Sequence, residues 1–77
     1  MRIKQIQVKS NYILHIISEE GKIGLFDVSP YLVFEAFSHL KDNNAFKKII
    51  NGGYFIEWEC GADLSADTIE ANWKVQK

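Results

Sequence analysis

Two aspartates, Asp27 and Asp63, are the first residues of this sequence whose types could do chemistry together. A pair of positioned carboxylates can act as a general acid and a general base. Each of these aspartates, however, lies within about two residues of a predicted helix start, where a carboxylate accepts hydrogen bonds from free backbone N–H groups. We therefore predict that Asp27 and Asp63 fix turns or cap helices and do not form a catalytic pair.

The two histidines and the single cysteine do not complete a catalytic or metal-binding group. His15 lies between Ile13 and Ile17 in a predicted strand, and His39 lies near a predicted helix end. No sequence feature joins either histidine to a nucleophile, as a catalytic histidine requires. Cys60 has no partner for a disulfide or a zinc site, and a free cysteine is usually a small buried hydrophobe. The sequence thus predicts a protein that is not an enzyme and has no metal or cofactor.

Tryptophans and lysines are the remaining candidates for ligand binding. Trp58 and Trp73 could stack on a base, but each lies on the apolar side of its own element, so we expect both in the core. Lys41, Lys47 and Lys48 form a small basic cluster that could bind phosphate, although such clusters are usually solvated surface. With nine basic and ten acidic residues, the net charge of -1 gives no overall attraction for nucleic acid. Nucleic-acid binding and small-molecule binding stay open as alternatives.

The first third of the chain predicts three antiparallel strands. Residues 5–8 alternate polar with apolar, Ser10-Asn11 supplies turn chemistry, and residues 12–17 are rich in β-branched side chains. Gly21 can take the positive φ of a hairpin turn, after which residues 23–28 run back. The second and third strands are apolar on both faces, and one helical layer covers only one face of a sheet. A second subunit is expected to cover the other.

The middle of the chain changes to a helical period. Ser29 is a natural N-cap with Pro30 at the first helical position, so a helix is predicted to start there. The polar run 41–44 interrupts the apolar stripe. We therefore predict a second short helix that Asp42 caps and that ends at Gly52-Gly53.

The last third predicts one strand and one helix. Tyr54, Ile56 and Trp58 alternate with polar residues, so we expect these three side chains to point inward. Ser65 is placed to cap a final helix. The sequence as a whole predicts one α+β domain over residues 1–77, with an antiparallel sheet and helices packed on it. The expected order is three strands, two helices, one strand and one helix.

Five short motifs, taken in their order and spacing, resemble a known family. They are Tyr12-x-Leu14-x-Ile16, Gly21, Phe26-Asp27-Val28-x-Pro30-Tyr31-Leu32, Leu40-Lys41-Asp42 with Phe46, and Glu57-Trp58-x-x-Gly61-x-Asp63-Leu64-Ser65. Together they are similar to the short bacterial and phage proteins known as domain of unknown function 2442. The residues expected to form the structural signature are Asp27, Pro30, Trp58, Gly61, Asp63 and Ser65.

The resemblance implies a small α+β fold of antiparallel sheet and helices, and it implies no established activity. Genes of this family resemble members of small operons, some beside small proteins of toxin and antitoxin type and some joined to a DNA-binding helix-turn-helix. That setting implies interaction with another protein. We therefore expect a non-catalytic interaction or regulatory module, either a dimer or an antitoxin-like partner.

Self-association is also expected from size. A chain of 77 residues buries only about 60% of its unfolded surface and has neither a disulfide nor a metal to add stability. The residues expected to contact a homodimer mate or a small protein partner are Ile13, His15, Ile17, Phe26, Tyr31, Phe34 and Phe55. No apolar run is long enough for a membrane span or a secretory signal, so we expect a cytoplasmic protein without membrane contact.

Overall fold

The computed structural model describes residues 1–76, which form two antiparallel sheets and several short helices. The strands are β1 (Ile3–Val8), β2 (Ile13–Ser18), β3 (Ile23–Asp27), β4 (Ile49–Asn51), β5 (Phe55–Trp58), β6 (Asp63–Ser65) and β7 (Lys74–Gln76). The α-helices are α1 (Asn43–Phe46) and α2 (Ala66–Asn72), 3₁₀ helices cover Ser29–Val33 and Glu35–Lys41, and Ser10–Tyr12 forms a tight turn between β1 and β2. The predicted α+β fold is confirmed, and β4, β6 and β7 are short strands that were not predicted.

The first sheet has the strand order β1-β2-β3-β7 and buries only one of its faces. Alternation along β2 turns Leu14 and Ile16 to a fully buried inner face, while Ile13, His15 and Ile17 point to the opposite, outer face. Hairpin pairing then fixes the side of every residue on β1 and β3, because a slip of one residue would exchange the two faces.

The turn from β1 to β2 has an unusual backbone. The N–H of Ile13 donates to the carbonyl oxygen of Ser10, and both central residues have positive φ, 60° at Asn11 and 62° at Tyr12. Positive φ at both positions is typical of a type I′ turn, which prefers Asn followed by Gly. Tyr12 therefore occupies the position that glycine usually takes. Its hydroxyl donates to the carbonyl oxygen of Lys41 at 2.5 Å.

The segment after β3 forms two 3₁₀ helices, whereas one α-helix was predicted. Ser29 does not cap: its N–H instead donates to Oδ1 of Asp27 at 2.9 Å, and Val28 occupies the cap position without a side-chain bond. Pro30 lies in the first turn as predicted. Phe34 has extended backbone angles (φ -86°, ψ 140°) and separates the two 3₁₀ helices. Aromatic and β-branched residues favour α-helix only weakly, so this segment has little to oppose the break.

The second predicted helix is shorter than expected. Asp42 caps α1 as predicted, because its Oδ1 accepts from the N–H of Asn44 at 2.9 Å. Ile49 and Ile50, which were assigned to the helix, instead begin β4 and pair with β5. β-branched pairs fit a pleated sheet better than a helix, and the non-local partner strand decides between the two. Gly52-Gly53 makes the turn into β5 and does not end a helix.

The second sheet has the order β4-β5-β6 and leads directly into α2. Ile56 and Trp58 point inward as predicted, but Tyr54 precedes the strand and is 66% exposed, with Arg2 over its ring at 5.7 Å. Ser65 caps α2, because its Oγ accepts from the N–H of Thr68 at 3.1 Å. The predicted inward position is therefore wrong for Tyr54, and the predicted cap is confirmed for Ser65.

A single buried cluster joins both sheets, the 3₁₀ helices and α2. Six aromatic rings run through it or along its edge in a continuous chain, each 5.3 to 6.3 Å from the next. In order they are Phe26, Tyr31, Phe37, Trp58, Phe46 and Tyr12. Trp58 occupies the middle of this chain and is 1% exposed, so its predicted burial is confirmed.

The end of the chain returns to the first sheet. β7 pairs with β3, and the half-buried ring of Trp73 lies directly against Gly24 on the inner side of that sheet. A side chain at position 24 would overlap this ring, so glycine is needed for close approach. Trp73 thus contributes to the interior, as its position on the apolar side of its element predicted.

Candidate interaction face

The outer face of the first sheet carries an apolar centre. We define it by five residues on the two central strands: Ile13, His15, Ile17, Ile23 and Leu25. Ile17 lies opposite Ile23 in the strand pairing, and His15 lies opposite Leu25. These pairs therefore place apolar side chains side by side on one surface.

Polar side chains of the edge strands flank this centre. Gln5 and Gln7 of β1 lie opposite Ile17 and His15. On the other edge, Lys74 and Gln76 of β7 lie opposite residues of β3. An apolar centre with a polar rim is the usual arrangement of a protein–protein interface.

Residual exposure distinguishes the outer face from the inner one. Leu14 and Ile16 are fully buried on the inner face, whereas all five residues of the outer face keep part of their surface accessible. Ile23 is the most accessible of the five at 36%. None of the five belongs to the buried cluster or to the partly buried side chains packed against it. The outer face is therefore an apolar sheet surface without a covering layer.

His15 stands out within the outer face because one of its ring nitrogens is unsatisfied. Its Nδ1 is inaccessible and has no hydrogen-bond partner among the described residues. A buried polar atom without a partner costs about 1 to 3 kcal/mol, and most such atoms in native proteins are paired. The imidazole at the centre of the outer face thus carries a buried hydrogen-bonding atom that no group within residues 1–76 satisfies.

The structure separates the seven residues predicted to contact a partner. Ile13, His15 and Ile17 lie together on the outer face. Phe26 is contradicted as a contact residue, because the alternation of β3 turns it inward and leaves it 1% exposed. Tyr31 is half-buried beside the Phe26 ring, at 5.8 Å between centroids.

The other two predicted contact residues are exposed but lie elsewhere. Phe34 is 58% exposed between the two 3₁₀ helices that follow β3, and Phe55 is 45% exposed at the start of β5. The ring of Phe55 lies over the turn glycine Gly52. These two side chains therefore do not extend the outer face. Ile23 and Leu25 belong to it instead, and their alternation with Gly24 and Phe26 was the only sequence signal for them.

The carboxylates of the structural signature lie on different sheets. Asp27 ends β3 and fixes the following turn, as predicted. Asp63 begins β6 opposite Glu57, and among the described residues its side chain makes no hydrogen bond, so the predicted cap or turn role is not seen. Gly61 has a φ of 98° in the turn between β5 and β6, which favours glycine.

Cys60 is exposed in that same turn, which contradicts its predicted burial. It lines a shallow cleft of about 640 Å³ together with His39, Asp42, Lys48 and Glu59. Side chains of both charge signs surround this cleft. Within residues 1–76, no group of three or more His, Cys, Asp or Glu side chains lies close enough to hold a metal ion.

The basic cluster predicted around the second helix does not form a single patch. Lys48 lines the cleft beside Cys60, whereas Lys47 lines a different cleft together with Lys9. Lys41 contributes its backbone carbonyl to the Tyr12 bond. Lys47 and Lys48, although adjacent in sequence, therefore lie on different surfaces.

The fold and its surfaces define a small α+β domain with two antiparallel sheets, one of which is covered on a single face. A family model described as "Protein of unknown function (DUF2442)" matches residues 3–75, and the chain belongs to this family. No curated protein and no solved structure gives a significant match. Among residues 1–76, no helix is both long and apolar enough to cross a membrane.

Proposed function

We propose that this domain is a non-catalytic protein-interaction module that pairs with a second copy of itself through the outer face. One observation carries the proposal: four apolar side chains and His15 on the central strands form a surface that lies outside the buried cluster. Contiguous apolar surface of this kind usually marks an interface on a protein that works in water.

The composition of the outer face suits pairing with an identical copy. Its centre is apolar and its rim is largely made of the uncharged amides Gln5, Gln7 and Gln76. Lys74 and Asp27 are the charged residues paired directly with this centre, and they have opposite signs. Two copies can therefore stack without burying a field of like charges, which would oppose association.

The size of the face sets the expected strength. Four strands about 4.8 Å apart and about six residues at 3.3 Å rise give a surface of roughly 19 by 20 Å. Two stacked copies would bury on the order of 1,000 Å² in total, which lies at the low end for specific interfaces. We therefore propose a weak, reversible dimer with a dissociation constant in the micromolar range.

His15 adds a second reason for a covered face. Its unpaired Nδ1 is a standing cost in the isolated chain. Because this nitrogen is already inaccessible, a partner surface removes the cost only when the imidazole rotates toward the outer face and meets a polar group there. The imidazole thus favours a specific pairing over unspecific apolar contact.

The free and exposed thiol of Cys60 supports a cytoplasmic setting for this module. Reducing conditions keep such a thiol unoxidised, whereas an oxidising compartment favours its conversion to an intermolecular disulfide. We therefore propose that the module acts inside the cell.

Sedimentation equilibrium from about 1 µM to about 500 µM tests the pairing. The unmodified chain is expected to shift from monomer to dimer across this range. Ile23→Lys, at the most accessible residue of the outer face, is expected to stay monomeric because it buries an unpaired charge at the interface. Val33→Lys is the matched control, since Val33 is 80% exposed on a 3₁₀ helix outside the face.

Two results would reject the proposal. An unmodified chain that remains monomeric at the highest concentration rules out pairing with itself. A dimer that Val33→Lys weakens as much as Ile23→Lys does would place the interface elsewhere. Far-UV circular dichroism of both variants checks that each is folded before its mass is compared.

A further inference from the structure

A cleft of about 480 Å³ opens between the β1–β2 turn and α1, away from the apolar centre of the outer face. The polar residues that line it are Lys9, Ser10, Asn11, Asn43 and Lys47. A small-molecule site usually has a volume of about 300 to 1,000 Å³, so this cleft has room for one.

The charges of this cleft have a single sign. Lys9 and Lys47 line it and no carboxylate does. Neither lysine makes an ion pair with any carboxylate of residues 1–76. The cleft beside Cys60 differs, because Asp42 and Glu59 accompany Lys48 there. Two unpaired ammonium groups at one concave site attract an anion.

The neutral side chains of the cleft can complete such a site. Ser10, Asn11 and Asn43 carry hydroxyl or amide groups that donate hydrogen bonds. Phosphate oxygens accept hydrogen bonds from hydroxyl and amide donors as well as from lysine ammonium groups. The lining thus supplies neutral donors beside the two ammonium groups and contains no carboxylate that would repel an anion.

The turn that supplies Ser10 and Asn11 is held in a strained conformation. Tyr12 has a φ of 62°, a backbone conformation that is rare and strained for a bulky residue. Three contacts fix it there: its hydroxyl bonds to Lys41, its carbonyl accepts from Val28 at 2.9 Å, and its ring packs on Phe46. Strain that the surroundings maintain in this way is concentrated at binding sites in proteins.

We propose that this cleft binds the phosphate group of a phosphorylated small molecule, with Lys9 and Lys47 neutralising its charge. Ser10 and Asn11 from the strained turn and Asn43 from α1 donate to the phosphate oxygens. The site uses different residues from the outer face, so each proposal can fail without the other.

NMR titration of the folded full chain tests the site. Inorganic phosphate and adenosine monophosphate are expected to shift the amide signals of Asn11 and Asn43 in a saturable way, whereas adenosine, which lacks the phosphate, does not. Lys9→Gln and Lys47→Gln are each expected to weaken binding about tenfold, the loss of one charge-assisted contact. Lys48→Gln is the matched control. It removes the same charge as Lys47→Gln does, but Lys48 lines the other cleft.

Three outcomes would overturn the assignment. The first is an absence of saturable shifts with both phosphate probes. The second is a loss in Lys48→Gln as large as that in Lys47→Gln, which would show attraction by total charge alone. The third is binding of a single-stranded oligonucleotide with steep salt dependence when adenosine monophosphate does not bind. That pattern would assign the phosphate to a nucleic-acid backbone and reject the small molecule.

Discussion

The indole N–H of Trp58 donates a hydrogen bond of 3.0 Å to the carbonyl oxygen of Phe46, and the two rings stack at 5.9 Å between centroids. This pair joins β5 to α1 by a polar and an apolar contact at once. Trp58 can be buried completely because its only polar atom is satisfied inside the core. This one side chain therefore ties the second sheet to the short helix.

Trp58→Phe should destabilise the fold by about 1 to 3 kcal/mol, because it keeps most of the ring but leaves the buried carbonyl of Phe46 without a partner. Trp58→Ala should cost about 3 to 5 kcal/mol and leave little folded protein. Urea denaturation measures both. A Trp58→Phe variant as stable as the parent would show that the hydrogen bond contributes nothing.

Ser65→Ala should reduce the free energy of unfolding by about 1 kcal/mol, because α2 loses its side-chain cap. Ser29→Ala is the matched control and should change stability by less than about 0.5 kcal/mol, since the Ser29 side chain caps nothing. Thermal unfolding of both variants makes the comparison. Equal losses would contradict the assignment of the two serines.

Tyr12→Phe should cost about 0.5 to 1.5 kcal/mol, because it removes the bond to the Lys41 carbonyl and keeps the ring against Phe46. Tyr31→Phe removes a hydroxyl that makes no hydrogen bond within residues 1–76, and should be nearly neutral. Chemical denaturation under identical conditions compares the two. A neutral Tyr12→Phe would mean that ring packing and the backbone bond from Val28 hold the strained turn without the hydroxyl.

Gly24→Ala should destabilise the first sheet by about 1 to 3 kcal/mol, because the added methyl overlaps the Trp73 ring. Trp73→Ala should also destabilise, through lost packing. The double variant should cost less than the two single changes added together. Trp73→Ala removes the ring with which the new methyl at position 24 overlaps, and that methyl fills part of the space that the ring leaves. Strict additivity in a double-mutant cycle would show that the two residues do not interact in solution.

Local signals were sufficient where a residue's role depends on its near neighbours. Ser65 and Asp42 cap helices a few residues away, and Trp58 belongs to a short alternating run, so sequence alone placed all three. The helix predicted at Ile49 is wrong because this residue pairs with Trp58 on β5, and that pairing outweighs the local helical pattern. The cap predicted at Ser29 is wrong because the 3₁₀ helix already begins at this residue, with Val28 in the cap position and Asp27 accepting from the Ser29 N–H.

The outer face was only half predictable for a similar reason. Ile13, His15 and Ile17 alternate on one strand, and so their common side could be read from the sequence. β3 is apolar on both sides, so its sequence does not say whether Leu25 or Phe26 faces inward. Docking of the second sheet and Trp73 on the inner side makes that choice, and such contacts are not visible in a local pattern.

The two tryptophans report on different parts of this molecule. Trp58 sits among aromatic rings at the centre, while Trp73 lies half-buried where the end of the chain closes over Gly24. Replacing one indole at a time with a phenylalanine ring leaves a single tryptophan at either place, which can be excited apart from the three tyrosines. The chain can thus show by its own emission whether its last strand detaches before the interior melts or both are lost in one cooperative step.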